Sequence, residues 1–139
     1  MSSTQVVTFR LGENYFGIEI TKVKEILRLL PITKLPSSVP YICGVTNVRG
    51  KVVPVIDTLM KLNMGSIETT DETRLLLVEK AGNVVGLLVD EVSEVLNLSD
   101  DQIETAGSID DEIAVTSGIM GIAKIDENLL TLLDTDKII

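Results

Sequence analysis

Residues 44–62 read GVTNVRGKVVPVIDTLMKL, and this stretch decides the fold. Apolar residues dominate both sides of Arg49-Gly50, and a short glycine-containing break between two apolar runs is typical of a β-hairpin. The pattern returns 77 residues later, where Gly121 takes the place of Gly44. The other matched positions are Val45 with Ile122, Val48 with Ile125, Val52-Val53 with Leu129-Leu130, and Asp57-Thr58 with Asp134-Thr135. We therefore expect two hairpins of the same kind.

An earlier stretch of the chain is repeated as well. Residues 7–27 align without gaps on residues 76–96, at an offset of 69. The identical pairs are Asn14 with Asn83, Gly17 with Gly86, Val23 with Val92, Glu25 with Glu94, and Leu27 with Leu96. Two stretches repeated in the same order, with matching glycines, predict a tandem duplication.

Each copy predicts about five short strands. Val, Ile and Thr together make up 44 of 139 residues, and such β-branched side chains favour strands over helices. Only the spacing after residue 22 leaves a bent strand or a helical turn open. Short strands tend to close into a small barrel, because closure removes exposed sheet edges. The sequence predicts an all-β fold with short helical turns and two small five-stranded β-barrels.

A polar stretch marks the expected boundary between the two barrels. Residues 63–73, NMGSIETTDET, have no apolar period and contain a glycine. We predict a first barrel over residues 1–66, which carries the Asn-x-Arg-Gly motif, and a second over residues 67–139. Terminal strands can complete a neighbouring barrel, so the prediction allows them to cross over.

Composition excludes several classes of site. The formal net charge is −9, and a surface of that sign repels nucleic acid. The chain has no histidine and one cysteine, Cys43, so it cannot form an intramolecular disulfide, a Cys/His zinc site or a Cys/His dyad. Cys43 lies among apolar residues and is assigned no chemistry. We predict no cofactor and no metal.

The location of the protein is also predicted from sequence. The first residues, MSSTQVVTF, lack the basic and apolar regions of a signal peptide, and Ser2 cannot accept myristate. The apolar runs are far shorter than the ~20 residues of a membrane span. We expect a cytoplasmic protein without direct membrane insertion.

Asp57 and Asp134 invite comparison with aspartic proteases, in which two carboxylates from matched halves share a proton. Those enzymes need a glycine after Asp-Thr, whereas Leu59 and Asp136 follow here. An acid hydrolase using these two residues is therefore the weaker alternative. The stronger reading is that each aspartate ends a strand and caps the following turn.

The two copies differ most at the tip of the repeated hairpin. The first copy has Asn47, Arg49, Gly50 and Pro54, where the second has Lys124, Asp126, Glu127 and Thr131. An arginine beside a glycine at a hairpin tip can project a planar fork of donors from a rigid barrel. The alternative is that Arg49 is an ordinary solvated turn residue.

Three stretches, YFGIEITKVKEIL, GVTNVRGKVVPVIDTLMKL and NVVGLLVDEVSEVL, together resemble the CheW family of bacterial chemotaxis coupling proteins. The likeness covers essentially the whole chain, and its most specific part is Asn-x-Arg-Gly-x-x-x-Pro. The resemblance implies two SH3-like barrels without catalytic activity. It also implies an adaptor that couples the cytoplasmic tips of chemoreceptors to the C-terminal regulatory domain of the histidine kinase CheA, in arrays beneath the inner membrane.

The resemblance also implies a receptor-facing groove between the barrels. Its residues in this chain are Val23, Glu25, Gly44, Asn47, Arg49 and Leu75. The alternative for Val23 and Leu75 is a core role, and the alternative for Glu25 is a structural salt bridge. Arg49 is either the partner of Glu25 in that salt bridge or a receptor anchor. Kinase-facing residues are not assigned. A similar adaptor of another histidine kinase pathway, such as one for surface motility, remains the alternative function.

Overall fold

A computed structural model describes residues 3–36, 39–105 and 119–138. The described strands are β1 (Ser3–Leu11), β2 (Asn14–Glu19), β3 (Val23–Arg28), β4 (Ile42–Val48), β5 (Lys51–Asp57), β6 (Arg74–Lys80), β7 (Asn83–Val89), β8 (Glu91–Ser99), β9 (Ile103–Thr105), β10 (Ile119–Ile125) and β11 (Asn128–Leu133). Short helices follow the last strand of each copy, α1 at Thr58–Lys61 and α2 at Thr135–Ile138. The segment with ambiguous spacing, which begins at Val23, forms strand β3, and a 3₁₀ turn at Ile20–Lys22 precedes it.

The strands form two sheets that exchange hairpins. The middle barrel has the strand order β3-β6-β7-β5-β4, and the terminal barrel has the order β8-β1-β2-β11-β10-β9. The first hairpin of each copy therefore lies between strands of the other copy. The expected units, residues 1–66 and 67–139, do not coincide with the sheets, because the chain leaves β2 through a 3₁₀ turn and enters the other sheet as β3.

Residues that are equivalent in the two copies face equivalent partners in the two sheets. In the parallel pair β2–β11, Gly17 faces Leu132, and in β7–β5 the equivalent Gly86 faces Val55. In the antiparallel pairs, Val7 faces Val95 and the equivalent Leu76 faces Ile26. The same irregularity interrupts both antiparallel pairs at the equivalent place, so the predicted tandem repeat is confirmed in the geometry of the sheets.

Both sheets close on themselves. In the middle barrel, the chain leaving β3 reaches β4, where Thr33 and Val45 exchange backbone hydrogen bonds of 2.8 and 2.9 Å. In the terminal barrel, the equivalent contact is a regular pairing of β9 with β10, in which Glu104 faces Ile122. A 3₁₀ turn joins β8 to β9, so the described part of this barrel has six strands where five were predicted.

The core has a central layer and two barrel interiors. In the consecutive run of β6, Leu76 and Val78 pack in the central layer between the sheets, whereas Leu75 and Leu77 pack inside the middle barrel. Such a strand is buried on both faces, which explains why its sequence is continuously apolar instead of alternating. Among the described residues, no helix has the length and apolar character that a membrane crossing requires.

Candidate functional site

The hairpin tip that carries Arg49 is a rigid two-residue turn. Val48 pairs with Lys51, and Arg49 and Gly50 between them have φ values of 49° and 85°. Positive φ at both central residues is what the tight turns of β-hairpins require, because it matches the twist of the strands. The Asn47 side chain accepts a hydrogen bond from the Gly50 N–H at 2.8 Å. The turn therefore holds the Arg49 backbone in one conformation.

Arg49 reaches across the seam of the middle barrel to Glu25. Its Nη1 donates to Oε2 of Glu25 at 2.8 Å, and Nη2 donates to Oε1, so the pair is bidentate. Because β3 and β4 are the two edges of the open sheet order, this ion pair joins opposite edges of the closed barrel. The hydrogen bond lowers the pKa of Glu25 and raises that of Arg49.

The pair remains accessible to a partner. The side chain of Arg49 is 69% exposed and that of Glu25 is 32% exposed. Exposed ion pairs contribute little to folding, since solvent screens them. A guanidinium fixed at one place on a rigid surface is, by contrast, well suited to recognition, because little side-chain freedom is lost when a partner binds.

An apolar floor lies beside Arg49. Val48, Val53 and Leu77 are buried together there. We call the depression the Arg49 groove, and its lining consists of Lys24, Glu25, Val48, Arg49, Lys51, Val53, Leu77 and Val84. Lys24 pairs with Glu79 at 3.3 Å. The groove thus combines an apolar floor with a rim that is mostly cationic.

Three of the six residues expected in the receptor-facing groove lie together at this tip: Glu25, Asn47 and Arg49. Leu75 has no exposed surface and packs inside the middle barrel. Val23 is half-buried and packs against the central layer. Both residues therefore make the core contacts that their alternative role requires.

Gly44 is also structural. Its φ is 148°, and a Cβ atom there would lie 2.1 Å from the carbonyl oxygen of Thr33. The close approach occurs where the chain after β3 closes onto β4. Only glycine allows this contact, so the residue is needed for the closure of the barrel.

Lys24 and Lys51 line the groove although the sequence did not single them out. Both side chains are exposed. Lys24 lies between the half-buried Val23 and Glu25 on β3, whereas Lys51 begins β5 next to the exposed Val52. Apolar and polar residues do not alternate along β3 or β5, so periodicity in the sequence does not indicate these rim residues.

Asp57 and Asp134 cap the described helices α1 and α2. Asp57 is buried and accepts hydrogen bonds from the N–H groups of Met60 at 3.1 Å and Ile67 at 2.9 Å. Asp134 accepts one from the N–H of Asp136 at 2.9 Å. The two carboxylates thus bind backbone donors of different turns, as the capping interpretation predicts.

In the described part of the chain, Cys43 has no activated thiol and the acidic residues form no metal-binding cluster. Burial raises the pKa of the Cys43 thiol, which disfavours the reactive thiolate. In the described ranges, no three Asp, Glu, Cys or His side chains are grouped so that they could hold a metal ion.

Comparison with known proteins identifies the family. The family model of the CheW-like domain matches residues 5–139. The chain belongs to the CheW-like family. A relative within that family, the chemotaxis protein CheW of Klebsiella aerogenes, is 33% identical over 97% of this chain and 81% of its own length. The chemotaxis protein CheW of Bacillus subtilis is 40% identical, but that match covers 53% of this chain and only 47% of the Bacillus protein.

A solved CheW structure has the same fold. The crystal structure of the scaffolding protein TtCheW from Thermoanaerobacter tengcongensis superposes with a TM-score of 0.85 at 30% identity, covering 96% of this chain and 90% of that one. The predicted all-β fold with two SH3-like barrels is confirmed. The predicted membership of the CheW family is confirmed as well.

Proposed function

We propose that this protein is a non-catalytic chemotaxis adaptor, which couples the cytoplasmic tips of chemoreceptors to the histidine kinase CheA. Membership of the CheW-like family and the names of its relatives support this proposal. The capping roles of Asp57 and Asp134 argue against the hydrolase alternative. In this proposal the protein works in the cytoplasm, at receptor arrays beneath the inner membrane.

The observation that carries the proposal is the fixed guanidinium of Arg49 beside an apolar floor. A receptor tip can place apolar side chains against Val48 and Val53 and an acceptor group against Arg49. Central arginines next to apolar pockets are frequent hot spots of protein interfaces. We therefore assign Arg49 as a receptor anchor, with Glu25 and Asn47 holding it in position.

Binding of a purified receptor tip by the full chain tests this assignment. We expect Arg49→Ala to weaken receptor binding about tenfold or more, while binding of the CheA regulatory domain changes little. Circular dichroism checks that the variant is folded. Equal loss of both partners in Arg49→Ala would contradict the anchor role.

A charge swap separates the anchor from a purely structural pair. If the pair only shaped the groove, Arg49→Glu combined with Glu25→Arg would restore the receptor affinity that each single reversal loses. We expect no restoration, because the receptor needs the guanidinium at position 49. The second copy keeps Glu94 but has Asp126 at the position of the arginine, so the barrel itself does not require the pair.

The kinase contact is proposed to be mainly apolar and to join one barrel to another. The affinity for the CheA regulatory domain should then depend only weakly on salt. Titration calorimetry at low and high salt measures this dependence, and a steep fall in affinity would contradict an apolar contact. Failure to bind CheA combined with binding of another histidine kinase of the same organism would favour the alternative pathway.

A further inference from the structure

The duplication places a second groove on the terminal barrel, at the position equivalent to the Arg49 groove. We call it the acidic groove, and its lining consists of Thr8, Glu13, Asn14, Tyr15, Ser93, Glu94, Leu96, Ile125, Asn128, Leu129 and Leu130. Seven of these residues align by the repeat with residues that line the Arg49 groove. The equivalent pairs are Thr8 with Leu77, Tyr15 with Val84, Ser93 with Lys24, Glu94 with Glu25, Ile125 with Val48, Asn128 with Lys51, and Leu130 with Val53.

The second groove has the opposite charge. Ser93 and Asn128 replace the two lysines, and Asp126 replaces Arg49 at the exposed hairpin tip. Glu94 keeps the place of Glu25, and Glu13 adds a second exposed carboxylate to the lining. Among the residues that the structure describes, the lining contains no Lys or Arg. Among the described side chains, neither Glu13 nor Glu94 forms an ion pair, so both are available to a partner.

Apolar surface accompanies this charge. Tyr15 is 49% exposed and Leu129 is 64% exposed, and they lie in the same groove as the buried Leu130. Large apolar side chains that stay exposed together in a concave site are typical of interaction surfaces. The pattern matches a ligand with apolar groups on one face and positive charges beside them.

The backbone beneath the carboxylates is rigid. The buried hydroxyl of Thr8 donates to the carbonyl oxygen of Glu94 at 2.7 Å and accepts from the N–H of Glu94 at 3.0 Å. The Thr8 hydroxyl thereby holds both polar groups of the Glu94 backbone, at the point where the pairing of β1 with β8 is irregular. A carboxylate on such a fixed backbone loses little freedom when it binds a cation.

We propose that the acidic groove binds a cationic, amphipathic segment of a partner protein, and that this partner differs from the one that binds the Arg49 groove. Charge complementarity identifies the occupant, since Glu13, Glu94 and Asp126 attract Lys and Arg side chains while Tyr15 and Leu129 receive apolar ones. The inference goes beyond the proposed adaptor function and does not depend on CheA or on receptors.

Titration with a designed peptide tests the proposal. The probe is a helical peptide of about 15 residues with leucines on one face and lysines on the other. In ¹⁵N NMR spectra of the full chain, we expect shifts at Tyr15, Glu94 and Leu129. Glu13→Lys with Glu94→Lys should weaken binding about tenfold or more, and Leu129→Ala should weaken it as well.

A matched control separates this site from general attraction to a negatively charged protein. Glu68→Lys with Glu72→Lys changes the charge by the same amount at exposed residues outside the groove. We expect this control to keep nearly full affinity, and Arg49→Glu to leave the shifts at Tyr15 and Leu129 in place. Any of three results would overturn the proposal. These are equal weakening by both double variants, shifts centred outside the groove, and equal binding of a peptide with Glu in place of Lys.

Discussion

At the scale of single residues, the Arg49–Glu25 pair leads to a prediction about the pKa of Glu25. Arg49 lowers the pKa of Glu25 through a hydrogen bond. A carboxyl group whose pKa is lowered by folding stabilises the fold above its unfolded-state pKa and loses that contribution as the pH falls through the lowered value. We expect Arg49→Ala to raise the pKa of Glu25 toward its ordinary value. A ¹³C NMR titration of the Glu25 carboxyl measures it, with Arg74→Ala as the control.

Gly44 allows a second test at this scale. A methyl group at residue 44 would collide with the carbonyl of Thr33, whereas one at Gly50 would meet no atom of the described residues within 4 Å. We expect Gly44→Ala to lower the free energy of unfolding by about 3 kcal/mol, and Gly50→Ala by only about 1 kcal/mol from its positive φ. Urea denaturation measures both variants, and equal costs would mean that the collision relaxes.

At the scale of elements, helices α1 and α2 depend unequally on their caps. Asp57 is buried and holds two backbone N–H groups, but Asp134 is half-buried and holds one. Asp57→Ala should cost about 2–3 kcal/mol of unfolding free energy and Asp134→Ala about 1 kcal/mol. Peptide hydrolysis that disappeared in Asp57→Asn and Asp134→Asn would instead revive the hydrolase interpretation.

Strands were predicted well from composition and turn residues, but the environment of each side chain was predicted poorly where a strand is buried on both faces. The hairpin around Arg49-Gly50 follows from local sequence, because a short glycine-containing break separates two apolar runs there. Leu75 is a residue whose environment the sequence pattern did not reveal. Every residue from Leu75 to Val78 is apolar and buried, so periodicity does not indicate which faces a groove and which an interior.

For a similar reason, the sequence left the Arg49–Glu25 pair as one of two alternatives, beside a receptor anchor. Glu25 and Arg49 are 24 residues apart, and their contact depends on the closure of the barrel, which brings β3 to the tip after β4. Closure in turn requires β3 to pair with β6 from the other copy. A repeat in sequence shows that two copies exist, but it does not show which strands pair between them.

At the scale of the whole molecule, the exchanged hairpins predict one cooperative unit. Leu76 belongs to the central layer and Leu98 to the interior of the terminal barrel. We expect Leu76→Ala and Leu98→Ala each to cost about 2–5 kcal/mol and to lower amide exchange protection in both barrels alike. Loss of protection in the terminal barrel alone for Leu98→Ala would show that the barrels unfold independently.

The hairpin exchange also has a meaning for the ancestry of the chain. A polypeptide with one copy would carry one hairpin together with strands that receive the hairpin of another copy, so it would complete its barrels only with a second, identical chain. Two such genes joined end to end would give the present chain without re-pairing a strand. The subunits of a homodimer must have the same sequence, but after the genes are joined the two copies can differ. Arg49 and Asp126 stand at positions that such a dimer would have kept the same.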